Sequence, residues 1–196
     1  MPLFRVLIAL GVGLALADAS VVILALPPML DDLGTTVEGV AAVIGVYTLV
    51  LAAALPGVAR LRGRMPDRTL AAAGFGLFAL AGALCATPDG IGAMLAFRGL
   101  QAVGAAAALV AGFAYLRGSR VWTAAAVFGT AIGPALGGAL TQAFDWRAIF
   151  LFQVPLALAA AAACLASRAP MRDAPPVRHW RPRSSGGSSN KPCDTC

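Results

Sequence analysis

The chain has 196 residues, of which 59% are hydrophobic and only 12% are charged, and its formal net charge is +6. Soluble domains carry roughly 25% charged residues, so this chain has too little polar surface to cover a soluble core of its size. The composition therefore excludes a soluble globular protein and indicates an integral membrane protein.

Six apolar windows follow one another along the chain, at residues 6–27, 39–59, 69–87, 91–116, 121–143 and 148–167. We call them spans 1 to 6. Each has about twenty residues, the length of helix that crosses a ~30 Å hydrocarbon layer. The runs are continuous rather than alternating, and a segment in lipid must satisfy its own backbone hydrogen bonds. Each window is therefore predicted to be a transmembrane helix.

The loops between the spans are mostly short, so consecutive spans are expected to be antiparallel neighbours. The six spans divide into two inverted repeats of three helices, in which spans 1 and 4 are equivalent. This is the plan of one half of many secondary transporters. The expected fold class is an all-α integral membrane protein, a six-helix bundle over residues 1–167.

The charged residues outside the spans are unequally distributed. Of the 15 Lys and Arg residues, all but Arg98 and Arg147 fall in segments that share one side of the membrane with the N-terminus. Short cytoplasmic loops are enriched in Lys and Arg, so we predict a multi-pass protein of the cell membrane with a cytoplasmic N-terminus and C-terminus. The basic charge then reflects topology, and no nucleic-acid partner is expected.

Two formally charged residues lie inside the spans, Asp18 in span 1 and Arg98 in span 4. Ionisable groups inside a membrane are costly, so each is a candidate functional residue. At 1.5 Å per residue both lie about 10–14 Å below the outer surface, where they are able to meet, and Gln101 is one turn from Arg98. Two interpretations stay open at this point, a static neutralising pair and a pair that takes part in proton coupling.

Span 5 contains GTAIGPALGG at residues 129–138, with four glycines and Pro134. Within a helix glycine costs about 1 kcal/mol and proline about 3 kcal/mol relative to alanine, whereas in lipid small residues let helix backbones approach closely. Small residues recur here every four positions, which predicts a groove for a neighbouring backbone, and Pro134 predicts a kink. The alternative is generic small-residue packing.

Residues 168–196 form a tail that is rich in Pro, Arg, Ser and Gly and has no apolar period. We predict a disordered basic tail. It ends in CDTC, but Cys193, Cys196 and His179 do not make up a four-ligand set, so no metal site is expected. No catalytic constellation is found and no cofactor is expected, so the chain is predicted not to be an enzyme.

Four stretches carry more specific patterns, namely ADASVVILALPPMLDDLG (17–34), RGLQAVGAAAA (98–108), GTAIGPALGG (129–138) and DWRAIFLFQVP (145–155). They resemble motifs of the major facilitator superfamily, and within it of the multidrug/proton antiporters of the fourteen-helix type. The loop GVARLRGRMPDR (57–68) is similar to the superfamily's loop between helices 2 and 3, but Leu61 stands where that pattern has Asp. Gln153 stands where the pattern in helix 6 has Asn.

This resemblance covers residues 10–167 and implies the N-terminal half of a major facilitator fold. It implies a proton-coupled drug efflux protein whose partners are the bilayer, a small amphipathic substrate, protons and a second six-helix bundle, either a C-terminal half or another copy. No substrate-binding residue is assigned. The site residues that it implies are Asp18, Arg98 and Gln101 for proton coupling; Gly129, Gly133, Pro134, Gly137 and Gly138 for the antiporter motif; and Gly57, Arg62, Gly63 and Arg64 for an inside gate loop.

Two alternatives remain beside this interpretation. One is a truncated remnant without transport activity. The other is a small membrane scaffold protein that uses the groove of span 5 to dock another membrane chain. If the chain works as a dimer, the same groove is expected near the dimer interface, because close helix contacts in lipid use small residues.

Overall fold

The computed structural model describes residues 3–23, 25–116 and 120–167, apart from the side chains at positions 120–122, 125, 126 and 128–130. The described residues form seven α-helices: α1 (Leu3–Ile23), α2 (Leu26–Asp32), α3 (Val37–Leu61), α4 (Asp67–Cys85), α5 (Ile91–Leu116), α6 (Arg120–Ala143) and α7 (Trp146–Ala166). Span 1 corresponds to α1, and spans 2 to 6 correspond to α3 to α7. The short α2 covers the last two residues of span 1 and the five that follow. The predicted tail, residues 168–196, lies outside the described residues.

The helices have the dimensions of membrane spans. By length and composition, α1, α3, α4, α5 and α7 are each able to cross a bilayer. The remaining long helix, α6, has 24 residues but includes side chains outside the described part of the chain. The prediction of an all-α multi-pass membrane protein is confirmed.

The first transmembrane helix ends before the end of span 1, and a second, short helix begins there. α1 ends at Ile23 and α2 begins at Leu26, because Pro27 and Pro28 lack the N–H groups that would continue the hydrogen bonding of α1. Proline is tolerated in the first turn of a helix, where the N–H has no partner in any case. Gly34, at a φ of 54°, follows α2 and turns the chain toward α3.

The packing of the long helices is internally symmetric. α1 packs on α6 as α3 packs on α5, and α1 packs on α7 as α4 packs on α5. If α1 is exchanged with α5, α3 with α6 and α4 with α7, the α1–α6 pair becomes the α5–α3 pair and the α1–α7 pair becomes the α5–α4 pair. The α4–α7 pair is unchanged by the exchange. This is the arrangement of two inverted three-helix repeats that the sequence predicts.

The small-residue face of α6 contacts α1 of the same bundle. A Cβ atom added at Gly133 would meet Ser20 and lie 3.2 Å from the Ala17 carbonyl oxygen, and one added at Gly137 would meet the backbone oxygen of Val21. The prediction of a groove for a neighbouring backbone therefore describes an internal contact. At Gly133 and Gly137 the groove is filled by α1, so these two positions are not open to a second chain. A dimer interface near α6 stays a prediction.

The apolar core lies mainly between α1, α4, α5 and α7, with buried aromatic side chains such as Phe75, Phe78 and Phe150. Among the helices that are candidate spans, α3 is the least buried. Much of its surface, including the open space around Gly45 and Gly57, is therefore turned away from the bundle.

Candidate functional site

The two charged residues of the spans are in direct contact inside the bundle. Arg98 Nη1 of α5 lies 2.7 Å from Asp18 Oδ2 of α1, and both side chains are 0% exposed. α1 and α5, which occupy equivalent positions in the two repeats, pack against each other. Alanines next to the pair, at 15, 17 and 102, are themselves buried and allow the two helix backbones to approach.

The Arg98 guanidinium is enclosed by groups from three further positions of the bundle. Its Nε donates to the Val43 carbonyl oxygen at 3.4 Å, and its central carbon lies 4.3 Å from the centre of the Tyr47 ring and 5.6 Å from that of Phe150. Cation–π contacts of this kind strengthen when water is excluded. The Tyr47 hydroxyl donates to the Ala15 carbonyl oxygen at 2.9 Å, which fixes the ring between α1 and α5.

The Arg98 guanidinium links Asp18 to Gln101. Its Nη1, which carries two N–H groups, donates to Gln101 Oε1 at 2.7 Å and lies 2.7 Å from Asp18 Oδ2, the separation of a charge-assisted contact. No described residue other than Arg98 is placed to donate to the Asp18 carboxylate.

A chain of amides leads from this pair to α7. Gln101 Nε2 donates to Gln153 Oε1 at 3.1 Å, and the buried Cys85 thiol lies 3.7 Å from Gln101 Oε1. Gly82 of α4 makes room for the Gln101 amide, since a Cβ atom there would lie 3.3 Å from Nε2. The polar network thus joins α1, α3, α4, α5 and α7 in one buried site.

Sequence reasoning brought together Asp18, Arg98 and Gln101, and the structure places these three in one cluster. It did not assign Tyr47 or Gln153 to the site. For Tyr47 the signal was a polar group within an apolar span, and for Gln153 there was also its motif position, where the pattern has Asn. Neither signal determines which way the side chain faces in a helix that is apolar on all sides.

The antiporter-motif residues of α6 lie beside this cluster rather than in it. Gly133 contacts Ala17 and Ser20, which flank Asp18 in the chain, so this part of α6 supports the backbone that carries the carboxylate. Pro134 is exposed and Gly138 is half-buried. Gly129 belongs to α6, but its surroundings lie outside the described residues.

The predicted gate loop joins the C-terminal end of α3 to the N-terminal end of α4. Arg62 binds Asp67 with both ends of its guanidinium, Nε to Oδ1 at 2.7 Å and Nη2 to Oδ2 at 3.1 Å, and this hydrogen bonding raises the pKa of Arg62 above its ordinary value. Leu61 supplies no carboxylate here, and Asp67, in the first turn of α4, does so instead. Gly57, Gly63 and Arg64 are exposed.

A second ionic cluster lies at the side of the bundle where α2 and α7 meet. Arg147 Nη1 lies 2.8 Å from Asp32 Oδ2 and 3.6 Å from Asp145 Oδ2, and Nη2 lies 3.4 Å from Asp89 Oδ1. The buried Trp146 donates from its indole nitrogen to the same Asp32 oxygen at 3.1 Å. The cluster therefore ties α2 and the α4–α5 loop to the start of α7.

No group of three or more His, Cys, Asp or Glu side chains able to hold a metal ion is found among the residues that the structure describes.

Comparison with known proteins gives matches over most of the chain. The family model of the Major Facilitator Superfamily matches residues 8–189. The chain is similar to the Methylenomycin A resistance protein of Bacillus subtilis, with 31% identity over 166 residues, 79% of this chain and 36% of that protein. It is similar to the Multidrug resistance protein Stp of Mycobacterium tuberculosis, with 32% identity over 163 residues, 76% of this chain and 30% of that protein.

A third relative is the Putative multidrug resistance protein MdtD of Cronobacter sakazakii, with 31% identity over 169 residues, 81% of this chain and 36% of that protein. The chain thus spans about a third of the length of the curated relatives that it matches.

Proposed function

The chain belongs to the major facilitator superfamily, a family of membrane transporters, and from that premise we propose that it forms the N-terminal six-helix bundle of a proton-coupled drug efflux protein. Three relatives named for resistance to methylenomycin A or to multiple drugs support a small amphipathic drug as substrate. We place both ends of the chain in the cytoplasm, as the distribution of Lys and Arg favours.

The observation that supports the proposal of proton coupling is the fully buried pair of Asp18 and Arg98. Replacing a buried ion pair by apolar residues is often neutral or stabilising, so stability alone is a weak reason for a bundle to contain one. No described residue other than Arg98 is placed to donate to the Asp18 carboxylate, so a proton that binds there acts first on the contact with Arg98. Binding would neutralise Asp18, leave the Arg98 charge unpaired, and so bias the position of α1 relative to α5.

A second six-helix bundle is the partner that we propose, because alternating access requires one bundle to rock against another. The poorly covered surface of α3 is available for such a contact. The scaffold alternative that depends on the groove of α6 loses its support, since Gly133 and Gly137 face α1. A bundle without transport activity remains the second candidate.

The test measures drug-driven proton movement in proteoliposomes that contain the chain, with methylenomycin A and the lipophilic cation tetraphenylphosphonium as probes and a pH-sensitive dye inside. Because only this chain is present, two copies must supply the two bundles. We then expect at least one probe to drive proton movement, Asp18→Asn to abolish it, and Asp89→Asn, at a carboxylate that is 96% exposed, to retain it. If Asp18→Asn still exchanges probe for protons, the pair is structural. If the unaltered chain moves no protons with either probe, the inactive bundle is the better interpretation.

A further inference from the structure

The short helix α2 lies at one end of the bundle. α1 ends at this end, at Ile23, and α5 and α7 begin there. α2 turns Met29 inward, where its side chain is buried, and Leu33, which follows α2, is buried as well. Its last two residues, Asp31 and Asp32, are exposed. One side of α2 therefore faces the interior of the bundle and the other faces away from it.

Met29 belongs to an apolar layer between the buried ion pair and this end of the bundle. Arg98 is seven residues from the start of α5, which places it about 10 Å below that end at 1.5 Å per residue. Met94 comes one turn before Arg98, and the Phe150 ring lies 5.6 Å from the guanidinium carbon. The buried cluster that these residues share with Met29 also contains Cys85, Trp146 and Ile149. The layer thus covers the pair, and α2 supplies part of it.

The backbone joins α2 to α1 through a break in the helical hydrogen bonding. Pro27 and Pro28 have no N–H to donate back toward α1, and Met29 N donates to the Ala25 carbonyl oxygen at 3.1 Å. A helix of seven residues is too short to be stable without contacts from the rest of the protein. The position of α2 therefore depends on its side-chain contacts, and the two prolines mark the point about which it can move as a unit.

The carboxylate of Asp32 fastens the far end of α2 to α7. It accepts from the indole nitrogen of the buried Trp146 at 3.1 Å and lies 2.8 Å from Arg147 Nη1. Both side chains of the charge contact are partly exposed, so water screens it and keeps it modest. Contacts of this size favour one position of a short segment without preventing its local opening.

We propose that α2 is a lid over the Asp18–Arg98 pair, hinged at Pro27 and Pro28 and latched to α7 by Asp32. With the latch formed, Met29 completes the apolar layer and water does not reach the pair. With the latch released, α2 moves away with Met29, and an aqueous path opens from this end of the bundle. The lid rests on the proposed function, because a proton must reach a pair that is fully buried, but its movement can be measured without transport.

The test uses Cys85 as a reporter of water beneath α2. Cys85 is buried in the same layer as Met29, and its thiol lies 3.7 Å from Gln101 Oε1. The full chain, with Cys193→Ser and Cys196→Ser, is placed in lipid nanodiscs and treated with a cationic methanethiosulfonate reagent, and mass spectrometry gives the labelling rates of Cys85 and Cys164 separately. We expect Asp32→Ala to raise the rate at Cys85 by about tenfold, because a hydrogen bond to a charged group is lost from the closed position.

Asp31→Ala is the matched control, since it removes the same charge from the same end of α2, and it should leave the Cys85 rate unchanged. Cys164 is buried near the opposite end of the bundle, and its rate should stay unchanged in both variants. A Cys85 rate that is equal in Asp32→Ala and Asp31→Ala, or a Cys164 rate that rises together with it, would overturn the lid. If Asp32→Ala does not fold, Trp146→Phe takes its place, because it removes the indole donor and keeps an aromatic ring in the layer.

The labelling result separates the lid from the transport function. If the chain moves no protons with either probe but Asp32→Ala still exposes Cys85 selectively, the lid is upheld and the proposed function falls. If the chain exchanges a probe for protons while the Cys85 rate does not respond to Asp32→Ala, the lid is refuted and the proposed function stands.

Discussion

At the scale of single residues, the site is built around a guanidinium that water does not reach. Arg98 has five donor N–H groups and no acceptor, and it meets a carboxylate, an amide oxygen, a backbone oxygen and two aromatic faces. One of its nitrogens, Nη2, still has no hydrogen-bond partner among the described residues. Among the described residues, the carboxylate that lies against this cation is that of Asp18, so a change of charge on Asp18 is felt directly by α5.

Removing one member of the pair should destabilise the chain more than removing both. Asp18→Asn or Arg98→Gln leaves one uncompensated buried charge, which costs about 3–5 kcal/mol, whereas loss of the whole pair is often tolerated. We expect each single variant to unfold at lower temperature in detergent and the double variant to recover most of the loss. Asp89→Asn, at an exposed carboxylate, is the control. A double variant as unstable as the sum of the two singles would contradict the pairing.

At the scale of helices, the close contact of α6 with α1 explains Gly133 and Gly137 of α6. At Gly137 a methyl group would collide with the backbone oxygen of Val21, and a backbone has less freedom to give way than a side chain. Helices in lipid associate by close packing of this kind rather than by a hydrophobic driving force. The poor helix propensity of glycine is therefore offset by contact with another helix.

Gly137→Ala should accordingly lower the free energy of unfolding by about 1–3 kcal/mol, the usual cost of overpacking. Gly45→Ala is the matched control, because Gly45 lies within α3 with open space around it, and there alanine should stabilise the helix by up to about 1 kcal/mol. Both values are measured by unfolding the chain in mixed detergent micelles. Equal effects of the two substitutions would mean that α6 does not pack closely on α1.

The short helix α2 is held to α7 by one carboxylate. Asp32 accepts from the Trp146 indole and lies 2.8 Å from Arg147. Its neighbour Asp31 is also exposed, but its side chain has neither of these contacts. We expect Asp32→Ala to raise hydrogen exchange of the backbone amides in α2 and to change the fluorescence of Trp146, while Asp31→Ala changes neither. Exchange that rises equally in both variants would show that local helix propensity, and not the contact with α7, holds α2.

At the scale of the whole molecule, the sequence predicts the number and order of the long helices, because an apolar segment in lipid has few alternatives to a helix. It also places Asp18 and Arg98 at the same depth. The sequence does not determine how a helix that is apolar on all sides is rotated about its own axis. For this reason Gln153 was not assigned to the site. Likewise, the glycine spacing of α6 predicts that a backbone lies close by but not that the backbone is that of α1.

The orientation of the bundle in the membrane is testable with the chain's own cysteines. Cys85 and Cys164 are buried, so a membrane-impermeant thiol reagent applied to intact cells should find no thiol exposed outside if Cys193 and Cys196 lie in the cytoplasm. A cysteine introduced at Thr35 or Asp89 should then be labelled from outside, because the acidic loops face outward when the basic loops face the cytoplasm. A cysteine at Arg62 should be labelled only after the membrane is made permeable. Labelling of the unaltered chain or of the Arg62 variant in intact cells, with no labelling at Asp89, would reverse the topology.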